Sequence, residues 1–76
     1  MRNNMKYDYG DEANFKQADE NGNSISRMCT VVGITPVETD DQSRVFGYPP
    51  GTVLYSVEFG DGSDRLVPED ELESAK

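Results

Sequence analysis

Histidine is absent from this chain of 76 residues. Its absence removes the usual general base near neutral pH, and with it any Ser-His or Cys-His catalytic pairing. Cysteine occurs once, at Cys29, so no internal disulfide can form. A small domain without disulfides fits a reducing compartment, and a cytoplasmic location is expected. Cys29 lies in the apolar run MCTVVGI, where a cysteine behaves as a small buried hydrophobe rather than a nucleophile. There is no CxxC pair, no histidine-metal site and no phosphate-cradling glycine loop before a helix. No apolar stretch is long enough for the core of a signal peptide or for a transmembrane helix.

Basic residues are also scarce. Fifteen acids face seven bases, for a net charge of −8. Divided after Thr35, the first part carries five acids and four bases, or −1, and the rest ten acids and three bases, or −7. Binding phosphates needs Lys and Arg to replace condensed counterions, so nucleic acid is not an expected partner. Anionic membrane surfaces are disfavoured for the same reason. A basic protein would be attracted and its encounter accelerated. The plainer reading is that negative charge only keeps a small protein soluble.

A chain this short is one domain. Hydrophobic residues make up 34% of it, most of them between Ile25 and Val67. They suffice for a thin sandwich or small barrel, not for an enclosed pocket of about 300–1,000 Å³. Short strands are predicted over 13–17, within SISRMCTVVGITPVE, where Pro36 ends or edges the strand, over 52–59 and over 64–67. In TVLYSVEF, Val53, Tyr55, Val57 and Phe59 share one face, the expected core face. Asn21-Gly22 and GDGS at 60–63 read as turns, the second with two glycines to take positive φ. Gly33 inside its strand suggests a bulge or sharp bend. The 37–51 segment reads as a long connection with a polar tip, ending in the rigid Pro49-Pro50-Gly51 turn. PEDELE reads as a single helical turn started by Pro68, with Leu72 packing back on the core. The expectation is an all-β fold, a small SH3-like five-stranded barrel with one short C-terminal helical turn. An open antiparallel sheet is the alternative. The domain is expected to span 7–73, with 1–6 disordered and 74–76 frayed.

The carboxylates suggest no catalysis. Acid–base work needs a cleft that separates two pKa values, and nothing in so small a barrel announces one. Adjacent acids such as Glu69, Asp70 and Glu71 could offer oxygen to a hard cation, but their order does not match a calcium-loop spacing. No metal and no cofactor is expected. The candidate surface for a partner has two parts. One is the 37–51 connection, where Phe46 and Tyr48 are possible aromatic anchors and Asp40 and Asp41 a charged rim; the competing reading is that the two rings only cap the core. The other is Asp61, Asp64, Glu69, Asp70 and Glu71, which compete with the reading of a solvated face. Arg65 is expected to pair with a neighbouring carboxylate, a contact worth little at a surface.

In GTVLYSVEFGDGSDRLVPEDELE, a Tyr-x-Val-x-Phe strand is followed by Gly-Asp-Gly, a short strand, Val-Pro-Glu and a closing Leu-Glu. Together with GDEANF at 10–15 and VVGI at 31–34, this resembles small SH3-like β-barrel proteins of bacteria. Within these it looks most like a family of immunity proteins from polymorphic toxin systems. The resemblance implies a protein with no activity of its own that binds a cognate toxin domain in the cytoplasm and covers its active site or a nearby exosite. Many such toxins are nucleases with basic clefts, to which an acidic partner is suited. No binding position carries over. The alternative is an SH3-like regulatory or assembly module that recognises a segment of a larger enzyme complex.

Overall fold

Residues 6–75 are described by the computed structural model, in which the alternating apolar positions become strands in an antiparallel sheet. The elements are β1 (Glu12–Ala18), β2 (Ser24–Pro36), α1 (Asp40–Phe46), β3 (Val53–Phe59), β4 (Asp64–Pro68), a 3-10 turn (Glu69–Glu71) and β5 (Leu72–Ser74). The order across the sheet is β4-β3-β2-β1-β5, and every pairing is antiparallel. The fold is therefore mostly β, as expected. Its edges, β4 and β5, are not paired with each other, so the hydrogen-bonded sheet is open rather than closed into a barrel.

Register explains the core. Ala13, Cys29 and Phe59 stand side by side across three strands. Val31 is opposite Val57, and Ile34, Tyr55 and Val67 form a further row on that face. Phe15 faces Leu72 on β5. All of these except Ile34 are buried, in one cluster against which Tyr7, Ile34 and Val53 pack. The alternation read in TVLYSVEF thus lies on the core face. Leu54, from the opposite parity, is also fully buried, as is Val37, both outside that cluster.

The bend expected at Gly33 is real: the β2–β3 register shifts between Val31 and Gly33. Gly33 has ordinary φ, so the requirement is for space. A Cβ there would stand 3.2 Å from both Cβ and Oγ of Ser56. At the β3–β4 turn only Gly62 takes positive φ, at 89°, so the expectation for two glycines holds for one.

The 37–51 connection is not irregular throughout, because α1 forms inside it. The residues that read as a polar loop tip are its cap. Thr39 Oγ1 accepts the Gln42 N–H at 3.1 Å, and Gln42 Oε1 accepts the Thr39 N–H at 3.0 Å, a reciprocal capping box. Gly47 closes the helix in the left-handed conformation, φ 81°, with its N–H donating to Ser43. At the other end of the chain, the helical turn expected over PEDELE is the shorter 3-10 turn, which Pro68 precedes rather than opens. Leu72 is buried as expected, but it begins β5, and Ser74 pairs with Ala13, one residue past the expected domain end. The expectations for 1–5 and for Lys76 lie outside the described residues.

Candidate functional site

The turn Pro49-Pro50-Gly51 leads the chain from α1 back to β3, with the Thr52 N–H donating to Pro49 at 3.2 Å and Gly51 at φ 98°. Val37 ties this turn to the end of β2 through hydrogen bonds of 2.8 Å to Thr52 and Gly51. On the neighbouring strand, Pro68, opposite Leu54, ends β4 and precedes the 3-10 turn. The two turns meet along an open groove of about 410 Å³. Tyr48, Pro49 and Val53 line it from one side, Glu69, Asp70 and Glu71 from the other. Four of the nine residues expected to bind a partner, Tyr48, Glu69, Asp70 and Glu71, are therefore brought together although they come from separate stretches of sequence.

The other five are elsewhere, and most have work inside the fold. Asp40 and Asp41 occupy the first turn of α1, where the helix dipole favours negative charge. Asp41 also pairs with Arg44. Phe46 is half-buried at the end of α1 and does not line the groove. Asp61 builds the β3–β4 turn: its Oδ1 accepts the Ser63 hydroxyl at 2.6 Å and the Ser63 N–H at 3.0 Å, while Oδ2 lies 3.5 Å from Arg27. Those Ser63 bonds, with the Arg27 charge, hold its carboxyl below the usual carboxylate value. Asp64 opens β4, exposed, directly opposite Glu58.

Glu69 has a double role. It lines the groove, but its Oε2 accepts the Tyr55 hydroxyl at 2.6 Å and the Lys6 N–H at 3.0 Å. The Tyr55 oxygen in turn accepts the Tyr7 N–H at 3.4 Å, and the Tyr7 and Tyr55 rings meet edge to face at 5.4 Å. This clasp ties the segment before β1 to the 3-10 turn. Burial first, then the bond to Glu69, push the Tyr55 phenol up to about 12. Among the described residues Asp70 and Glu71 make no hydrogen bond or ion pair, so they are the carboxylates of the groove left for a partner.

No family model, curated protein or solved structure matches the chain.

Cys29 is buried, its Sγ lies 3.5 Å from the Ala13 carbonyl, and burial pushes its thiol up despite the nearby Arg27. No group of three or more Cys, Asp or Glu among the described residues is placed to hold a metal. No helix among the described residues is long and apolar enough to cross a membrane. Arg65 has no ion pair among the described residues, contrary to expectation; its guanidinium lies over the Phe15 ring, 5.3 Å from the centroid, as Arg27 lies over Phe59 at 4.0 Å. Both cations share the core face in the register, opposite Val57 and Phe15. Both stack on core rings, and Arg27 also reaches the exposed Asp61.

Sequence reasoning found the groove's aromatic and its acids but missed Pro49, Val53 and Pro68 as its walls. The signal was there: two proline turns flanking a strand end.

Proposed function

We propose that this chain is a non-catalytic binding protein that neutralises a basic toxin domain, seating it on the groove between the 48–53 turn and the 3-10 turn. The observation that carries the reading is the convergence of Tyr48 with Glu69, Asp70 and Glu71 along one groove. An aromatic anchor beside unpaired carboxylates is the arrangement that binds a cationic surface. Exposed carboxylates such as Asp70 and Glu71 can take the place of substrate phosphates against a nuclease's basic residues. The −7 carried beyond Thr35 speeds the encounter and makes it salt-dependent.

We read the scaffold as SH3-like. Two features support this. β2 is a single strand of 13 residues that pairs with β1 along its first part and with β3 along its second, with the register shift between. Side chains from both outer strands, Val67 and Leu72, belong to one cluster, and Arg65 of β4 lies over Phe15 of β1, as in a sheet that curls. The second functional reading, an assembly module that takes up a segment of a larger enzyme complex, is favoured by the apolar walls Pro49, Val53 and Pro68.

Co-expression with the product of the adjacent gene, followed by affinity capture at low and high salt, tests the proposal. The expected result is a complex with a basic, otherwise growth-inhibiting protein. It should weaken at high salt, and the Asp70→Asn/Glu71→Gln variant should weaken it at least tenfold, about 1.4 kcal/mol. A harmless neighbour with no complex overturns toxin neutralisation. A complex that depends on Tyr48 and is indifferent to salt selects the assembly module.

A further inference from the structure

The face of the sheet turned away from the core carries a second surface. Glu12, Thr30, Glu58 and Asp64 are consecutive partners across β1, β2, β3 and β4. All three acids are exposed. None of them has an ion pair among the described residues. At about 4.8 Å per strand step, the row is about 14 Å long. Glu58 and Asp64 are direct cross-strand neighbours, and like charges so placed destabilise a sheet. On β1 the same face carries Lys16, four positions from Glu12 and about 13 Å away, and Lys6 lines the hollow beside Glu12 without pairing with it. Among the described residues no ion pair offsets the repulsion between Glu58 and Asp64.

Apolar side chains flank it on both sides. On one side is Met28, two residues along β2 from Thr30 and 59% exposed. On the other are Val32, the unpaired residue of the bulge and 49% exposed, and Leu66, 39% exposed, which is opposite Ser56 and through it in line with Gly33, next to Val32. Two hollows, of about 640 and 320 Å³, adjoin the row and share Glu12 and Met28 as walls. Rows on one face are about 7 Å apart, and an extended segment lying along the acid row sends successive side chains to opposite sides, one set over the acids and the other over an apolar flank.

We infer that this outer face docks an extended protein segment that alternates Lys or Arg with apolar residues, its cations set against Glu12, Glu58 and Asp64 and its apolar side chains against Met28, Val32 and Leu66. Charge complementarity chooses the occupant. A polyamine would satisfy the acids and leave the apolar flanks wet. An anionic lipid surface would be repelled by the row. A second copy of this chain, itself at −8, would bring acids to acids. This surface is separate from the groove of Tyr48 and Asp70, so either can stand without the other.

The test is a nuclear magnetic resonance titration of the ¹⁵N- and methionine-methyl-labelled chain with the synthetic peptide acetyl-(Lys-Val)₃-amide at low salt. The expected result is saturable shift changes at the amides of Glu12, Met28, Thr30, Glu58 and Asp64 and at the Met28 methyl, with a Kd of about 1 mM. Hexalysine should bind at least tenfold more weakly. The Glu58→Gln/Asp64→Asn variant should weaken the peptide at least tenfold while unfolding at no lower urea concentration than the parent, which separates lost docking from lost folding. Four results would each overturn the inference: no saturable change on this face, changes only around Tyr48 and Asp70, equal binding of hexalysine, or an unaffected double variant.

Discussion

Replacing Tyr55 by Phe removes one oxygen from the centre of the clasp and leaves the ring, which is fully buried in the core, unchanged in shape. Glu69 then loses its 2.6 Å donor but keeps the Lys6 N–H, and the Tyr7 N–H loses an acceptor at 3.4 Å. The second contact is too long to weigh much. The first is a hydrogen bond to a charged group, worth about 1.5–3 kcal/mol net. At 2.6 Å the bond is short, so the expected loss is about 2–3 kcal/mol, a large share of the stability of so short a domain. The phenol's rise from 10.0 to about 12, caused first by burial and then by this bond, sets the pH range in which the contact is lost.

The sign of the pH dependence follows. A pKa raised by folding gives stability that is complete below the unfolded value of 10.0 and is lost as pH rises toward about 12. Tyr7 and Cys29 are also pushed up, each mainly by burial, so they add alkaline losses of their own to both proteins. The readout is therefore the difference between parent and Tyr55→Phe in urea unfolding at a series of pH values. The gap should be about 2–3 kcal/mol near pH 8 and close between pH 10 and 12. A variant as stable as the parent near pH 8, or a gap that stays constant to pH 12, refutes the clasp.

Glu69→Gln keeps an acceptor for Tyr55 but removes the charge; it should cost about 0.5–1.5 kcal/mol in the same assay, less than Tyr55→Phe. Gly33→Ala forces a Cβ to 3.2 Å from Ser56 and should cost about 1–3 kcal/mol, most of it recovered in Gly33→Ala/Ser56→Gly; equal losses in single and double variants would mean that the crowding is not the cause. Thr39→Ala removes the helix cap, and since α1 buries none of its residues the effect should be local: amide exchange at Ser43 and Gly47 accelerates by the equivalent of about 1 kcal/mol while the global urea midpoint barely moves. Asp61→Asn weakens the Ser63 turn and the Arg27 contact; since folding lowers the Asp61 pKa, the parent's advantage over this variant should hold at neutral pH and vanish as acid titration passes below the usual carboxylate range.

How far the sequence could be read depended on whether a signal was local. The parity of Val53, Tyr55, Val57 and Phe59 assigns a core face without any partner strand, and it placed the β3 cluster correctly. Asn21-Gly22 and Gly33 name a turn and a bulge through backbone chemistry alone. α1 was missed because Thr39, Asp40, Asp41 and Gln42 are equally the residues of a polar loop and of a capping box, and seven residues are too few to display a helical period. β5 was missed because three residues after a turn carry almost no alternation, and only pairing with β1 makes them a strand. The clasp could not be read at all. Tyr55 and Glu69 are both conspicuous in the sequence, one as core and one as surface acid, but their contact depends on where the 3-10 turn lands against the end of the sheet.

The same distinction sorts the surplus acids. Asp19 folds its loop by accepting the Asn21 and Asn23 N–H groups, Asp61 builds a turn, Asp41 pairs within a helix and Glu69 holds the clasp. Neutralising any of these removes a contact of the folded chain. Glu12, Glu58, Asp64, Asp70 and Glu71 make no such contact among the described residues, and each adds to the self-repulsion of a chain at −8. Neutralising the second set should leave stability level or raise it slightly. If the two proposed surfaces are real, the same substitutions weaken binding. Stability and binding then move in opposite directions for these five residues, whereas for Asp19, Asp41 and Asp61 a binding loss can arise only through lost folding, and for Glu69, which also lines the groove, both fall together. Acids that serve only as a solvated coat would show the stability gain without the binding loss.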